Sequence, residues 1–321
     1  MSDLLKLEFD RRSAISFNKT YGPRLGWYRN IPPAAILKFP NLALDPVEGS
    51  DEDKGLFASA VYRMQRAHFK DPDSADGKMG TGTRKVLYSI YAPVADDARY
   101  YLHYGIRLEA PARDNHSRVV TYKDADGIDM HRSGKSDRKH PIKGIMLHWS
   151  GTLTVESCYR VLMNRKLSSH FGVGQDVIYQ WMDTEFQAWH GGSANRSYIG
   201  IDICSTPTVK YKEKLEKYGH EVHVKENKTG RGDKKVLTLD PKIARATREL
   251  ILDLCSVHNI PLRVPRGVDG WAESGDYWHG VFDQSVIEGG EFEGIICHDN
   301  ATPKKKDCAC WVDEIFDPLF A

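Results

Sequence analysis

Beyond residue 140, three short apolar runs each carry or end in a residue that can bind a metal or move a proton. This recurrence constrains the fold more than any other feature of the chain. Gly144-Ile145-Met146-Leu147 runs into His148, Ile199-Gly200-Ile201-Asp202-Ile203 contains Asp202, and Gly294-Ile295-Ile296-Cys297 runs into His298. Such short runs, bounded by turn residues, suit buried strands. Strict alternation over 199–203 sends the isoleucines to one face and leaves Asp202 on the other with Gly200 and Cys204.

Helical patterns lie between these runs. Thr152 or Thr154 is placed to cap a helix on which Val155, Cys158, Tyr159, Leu162 and Met163 form an apolar stripe. Asp240-Pro241 opens a longer helix with Ile243, Thr247, Leu250, Leu254 and Val257 on one stripe. His170–Val173 and Val177–Trp181 read as a hairpin around Gly174-Gln175-Asp176. The expected class is α/β, a mixed central β-sheet flanked by helices, plus a small N-terminal α-helical domain.

Of the 321 residues, 40% are hydrophobic and 28% charged, the balance of a soluble globular chain. A formal net charge of +1 argues against a general nucleic-acid binder, whose phosphate contacts need a basic excess. No stretch approaches the roughly 18 apolar residues of a membrane span, and Met1–Lys6 has no signal-peptide core. Synthesis in the cytoplasm without a signal peptide is therefore expected. The six cysteines, Cys158, Cys204, Cys255, Cys297, Cys308 and Cys310, are then expected to stay reduced, the first three as small buried apolar groups.

Organisation is expected as an N-terminal region (1–95), a linker (96–140) that ends in the basic run His131–His140, and a C-terminal domain (141–321) with insertions at about 205–237 and 266–293. The segment Leu56–Tyr91 reads as a compact helical unit in which Asp71-Pro72-Asp73 breaks one helix and Asp76-Gly77 forms a turn. Gly80 is expected in the left-handed conformation, with Thr81 or Thr83 capping a second helix inward-facing at Val86, Leu87 and Ile90. Val61-x-x-Met64-Gln65 with Asp76–Gly80, Thr83 and Val86-Leu87 resembles the three-helix peptidoglycan-binding domain of cell-wall hydrolases, over about residues 45–95. The first insertion reads as a charged surface excursion with a hairpin around Glu221–Val224, and the second as a Gly-rich aromatic loop overhanging the site.

The segment His298–Cys308 has the pattern H-x7-K-x-C, with a lysine near two good zinc ligands. A zinc hydrolase needs three protein ligands, a base for water and a cation for the oxyanion. His148, His298, Cys308, Asp202 and Lys306 offer those groups. Leu147–Ser150, Ser168–Phe171, Ala188–Gly192, Asn195–Asp202 and His298–Cys308, in that order, are similar to the zinc-dependent N-acetylmuramoyl-L-alanine amidases, the family of amidase-type phage lysozymes and peptidoglycan recognition proteins.

The resemblance implies Zn2+ on His148, His298 and Cys308, a catalytic carboxylate at Asp202 and an oxyanion partner at Lys306. The carboxylate position often holds glutamate, and Ser169 stands where some members carry a catalytic tyrosine. Cys310 is a competing ligand, because Ala309-Cys310 replaces the Pro-Gly that follows the third ligand in relatives. Ser169, Trp189, His190 and Asn195 are expected to contact substrate, and His170 to be structural. The implied partner is bacterial peptidoglycan, met by a monomer after release or delivery to the cell wall, as by a phage endolysin. A non-catalytic recognition module, an injected effector amidase and a cysteine peptidase built on Cys308 or Cys297 remain as alternatives.

Overall fold

Short apolar runs can bury both faces only inside a covered sheet, and the structure builds that sheet. It is a computed structural model that describes residues 10–20, 31, 33–69, 72–80, 83, 87, 100–103, 106–109, 117–124, 128–175 and 177–320. Two compact units are present, one N-terminal and the other comprising mainly residues 110–138 and 142–321.

In the N-terminal unit the main helix, Asp51–His68, starts from a reciprocal capping box between Ser50 and Asp53. Phe57, Ala60, Val61 and Met64 are its buried positions. Phe69 leaves the helix in extended conformation shortly before Pro72. Buried Gln65 accepts the backbone N–H groups of Asp76 at 3.0 Å and Gly77 at 2.8 Å, and donates to Thr83 Oγ1 at 2.8 Å. From the other side Asn18 accepts from Met79 N and donates to Gly77 O. Two amide side chains thus hold the expected turn. Gly77, with φ +71°, takes the left-handed position; Gly80 does not. The helix expected after Thr83 is described only at Thr83 and Leu87, so Asp71, Thr81, Val86 and Ile90 lie outside the described residues, as do residues 1–9.

Two short strands follow, β1 (Tyr100–His103) and β2 (Ile106–Glu109). The second unit then contributes β3 (Arg118–Thr121), β4 (Lys135–Asp137), β5 (Gly144–Trp149), β6 (Phe171–Gly174), β7 (Val177–Gln180), β8 (Phe186–Ala188), β9 (Tyr198–Ile203), β10 (Val224–Glu226), β11 (Lys235–Leu237) and β12 (Gly294–Cys297). Six of them form one sheet in the order β12-β5-β9-β6-β7-β3. All neighbours in it run parallel except β6 and β7, the expected hairpin; its turn residue Asp176 is outside the described residues. The mixed sheet with flanking helices is the α/β class that the sequence predicts.

Thr154, not Thr152, caps the helix Val155–Asn164, and Asp240 caps Pro241–His258 with Pro241 in its first turn. The first helix packs on β6, and so does the second, which also reaches β7.

Three segments differ from expectation. Residues 118–124 and 128–138 carry structure within the expected linker: β3 is the edge of the main sheet, β4 pairs with β8, and Met130 is buried in a core cluster. Four edge residues in a polar context leave too little periodicity to read. The first insertion does contain a hairpin, but its ladder is β10 with β11, Val224 opposite Leu237, preceded by a helix Lys212–Lys217 whose Leu215 is buried with Val222 and Leu237. The second insertion packs Phe282, Ile287 and Phe292 against Met146, Tyr198 and Ile296. Its residues are absent from the lining of the groove described below, so no overhang is seen among the described residues.

Candidate functional site

Parallel pairing dictates where the chemistry gathers. His148 and Asp202 are register partners on β5 and β9, so their side chains leave the same face. Cys297 pairs with Leu147 on the other side of β5, and one further step brings His298 beside His148. Ligand sites in parallel sheets form at the carboxyl ends of the strands, and these three residues occupy those ends. All three are buried.

His148 Nδ1 faces His298 Nδ1 at 2.9 Å, and Asp307 Oδ2 lies 2.9 Å from His298 Nδ1 and 3.3 Å from His148 Nδ1. Each residue directs one donor atom to a common point. Tetrahedral zinc with nitrogen and oxygen ligands needs donor atoms about 3.3 Å apart, so the three donors fit such an ion. Two imidazoles and a carboxylate meeting in a buried space call for positive charge between them, from a bound cation or a shared proton.

Burial would raise the Asp307 carboxyl, but the two histidines facing it outweigh that and hold it far below the usual carboxylate range. Burial, followed by the neighbouring His148, lowers His298 and favours the neutral imidazole that metals bind. Burial likewise raises Asp202, an effect that His148 and then the Ser169 hydroxyl oppose.

The loop after His298 departs from expectation by one residue. Asp307, not Cys308, joins the two histidines, and Lys305, not Lys306, lines the groove beside Asp202. Lysine and ligand remain two residues apart, so the arrangement is H-x6-K-x-D. Lys306 runs along Gly232, where a Cβ would stand 3.2 Å from its Nζ. Cys308, left-handed at φ 68°, starts a short turn of helix near Cys297. Burial and that neighbour raise its thiol. Cys310 is buried in the same turn, outside the donor cluster. All six cysteines are free and buried.

Of the expected substrate contacts, Trp189 is 45% exposed and lines the groove with Val161, Leu162 and Arg165. His190 lines it too, whereas Ser169 and Asn195 face inward. Ser169 supports Asp202, and Asn195 Oδ1 accepts the N–H groups of His190 at 3.0 Å and Gly191 at 2.7 Å. His190 lies behind His148, with Nδ1 at 3.0 Å from His148 Nε2, and burial drives its pKa well down. His170 is structural as expected: it accepts from Gly200 N, faces Phe186 O, and burial lowers it to about 3.

Sequence reading passed over Asn300. Tyr277 donates to its Oδ1 at 2.5 Å, and its Nδ2 donates to Trp278 O and Gly280 O, tying the second insertion to the turn that carries His298. From the first insertion Arg231 donates to Asp299 O at 3.3 Å. No spacing rule marks such anchors in advance.

Two imidazoles and a carboxylate that could hold a metal ion thus lie with a separate buried acid at a strand-end groove. The chain belongs to the N-acetylmuramoyl-L-alanine amidase family, whose profile matches residues 138–308. No curated protein matches it. Among solved structures it is similar to PlyL, at 18% identity and TM-score 0.29 over 46% of this chain and 77% of that one. A mutant endolysin from Bacillus subtilis shares 22% identity at TM-score 0.27, covering 44% of this chain and 78% of its own. Drosophila PGRP-LB shares 16% at TM-score 0.23, covering 32% and 73%.

Proposed function

We propose that the chain hydrolyses the amide bond joining N-acetylmuramic acid to the L-alanine of the peptidoglycan stem peptide, with zinc held by His148, His298 and Asp307. The observation that carries this reading is the convergence of those three donors beside Asp202 within the matched family region. Bound there, zinc supplies Lewis acidity toward a carbonyl and makes water a stronger acid.

The protein's own groups do the rest. Asp202 takes the proton of the attacking water, and its buried carboxyl, raised above the usual carboxylate value, can pass that proton to the departing alanine amine. The Lys305 ammonium faces the oxygen on which negative charge develops. Carbon–oxygen bond formation replaces the broken carbon–nitrogen bond, leaving a lactyl carboxylate on the glycan and a free amino group on the peptide. Trp189, Val161 and Leu162 give the groove an apolar wall for the substrate.

The N-terminal unit is assigned to wall binding, on its resemblance to peptidoglycan-binding domains, and the whole chain to an endolysin acting as a monomer once it reaches the wall. An injected effector would use the same chemistry. Mass spectrometry of digested peptidoglycan, with and without chelator, tests the reaction. Stem peptides beginning in L-alanine are expected, lost on chelation and restored by zinc. Cleavage between sugars or within the stem, or activity indifferent to chelation, overturns the reading.

A further inference from the structure

His190 occupies a prepared seat. A Cβ at Gly200 would stand 2.6–2.9 Å from three atoms of its ring, so the strand glycine leaves the space that the ring fills. Asn195 fixes the backbone at 190 and 191. The ring then lies between His148 and His170, with centroids 5.1 and 5.9 Å away. Its Nδ1 is 3.0 Å from His148 Nε2, and its Nε2 is 3.4 Å from the Tyr198 carbonyl oxygen.

The Tyr198 carbonyl orients the pair His190 and His148. Tyr198 O can only accept, so His190 Nε2 carries hydrogen. In a neutral ring the Nδ1 of His190 is then an acceptor, which obliges His148 Nε2 to donate. A neutral His148 that donates from Nε2 has its lone pair on Nδ1, the atom aimed at His298 and Asp307.

We propose that His190 is a positioning residue that fixes His148 in its metal-binding tautomer through a relay ending on the Tyr198 carbonyl. The inference rests on the metal reading above and gives His190 this role in addition to its place in the groove lining. Outer partners of this kind hold a ligand's ring orientation and tautomer, and their loss weakens metal affinity by roughly 10- to 100-fold.

The test uses the full chain and zinc itself. Zinc affinity, from competition with a chromogenic chelator, is measured for wild type, His190→Asn, which keeps an acceptor close to the Nδ1 position, and His190→Leu, which does not. His190→Leu is expected to lose roughly 10- to 100-fold in affinity while His190→Asn stays within a few-fold of wild type. Gly200→Ala, which displaces the ring without altering any donor, should shift affinity in the same direction as His190→Leu and serves if that variant does not fold.

Nitrogen NMR of the zinc-free protein reports the tautomer directly. His148 is expected as the Nε2–H form in wild type and as a mixture in His190→Leu. Unchanged zinc affinity with an unchanged His148 tautomer in His190→Leu overturns the proposal. Should wild type not bind zinc, the metal reading fails, and the NMR comparison still decides the relay.

Discussion

Lys305 and Lys306 carry the same side chain one position apart, and only their direction separates them. Lys305 lines the groove with Asp202 and Asp307, whereas Lys306 lies along Gly232. Removing a donor that meets developing oxyanion charge costs about 100-fold or more in kcat. Lys305→Ala is therefore expected to lower kcat on soluble muropeptide by about that factor, while Lys306→Ala stays near wild type; the opposite ranking would refute the one-residue shift. His148, Asp202 and His298 were legible because strand pairing converts sequence spacing into position. Lys305 and Asp307 were not, since a loop has no period by which 305 can be told from 306. The inward placement of Ser169 and Asn195 escaped the sequence for a related reason. Residue type suggests a polar contact, and only packing reveals whether its partner is substrate or protein.

The elements that bury apolar faces were the most legible. The runs 144–147, 199–203 and 294–297 are adjacent parallel strands, and both long helices of this unit begin at an expected cap. Edge strand β3 and the ribbon β10–β11 were missed or displaced because short, half-exposed strands carry little pattern. The hairpin β6–β7 holds its place through His170, which precedes β6 and bonds Gly200 on β9 and Phe186 on β8. Its pKa is lowered from 6.5 to about 3 by burial, with Arg138 adding to the effect. The unfolded chain therefore binds a proton that the folded chain refuses between those values, so stability is full above pH 6.5 and falls as pH drops toward 3. Between about pH 7 and 4.5 this one ring should remove on the order of 2–3 kcal/mol. Urea unfolding at those two pH values is expected to show a smaller loss for His170→Asn, which keeps an acceptor for Gly200, than for wild type. Equal losses would contradict the assignment.

At the scale of the molecule, the centre is assembled from far ends of the C-terminal unit, with His148 on an early strand and His298 and Asp307 near the chain terminus. Two insertions brace the turn that carries His298, through Asn300 and the Asp299 carbonyl. Among the described residues no helix is long and apolar enough to cross a membrane. The α/β class was readable because it follows from the order of buried runs and helical stripes, whereas the bracing depends on single side chains that any loop might carry. A ligand bound only by the folded state stabilises it by about 4 kcal/mol at a thousandfold excess over its Kd. A metal joining segments this distant must therefore raise the melting temperature of the whole unit, by several degrees. Thermal unfolding with and without zinc, in wild type, Asp307→Asn and Cys308→Ser, tests the metal centre most directly. Wild type and Cys308→Ser are expected to show the same zinc-induced rise and Asp307→Asn little or none; a rise lost in Cys308→Ser and kept in Asp307→Asn would contradict the account.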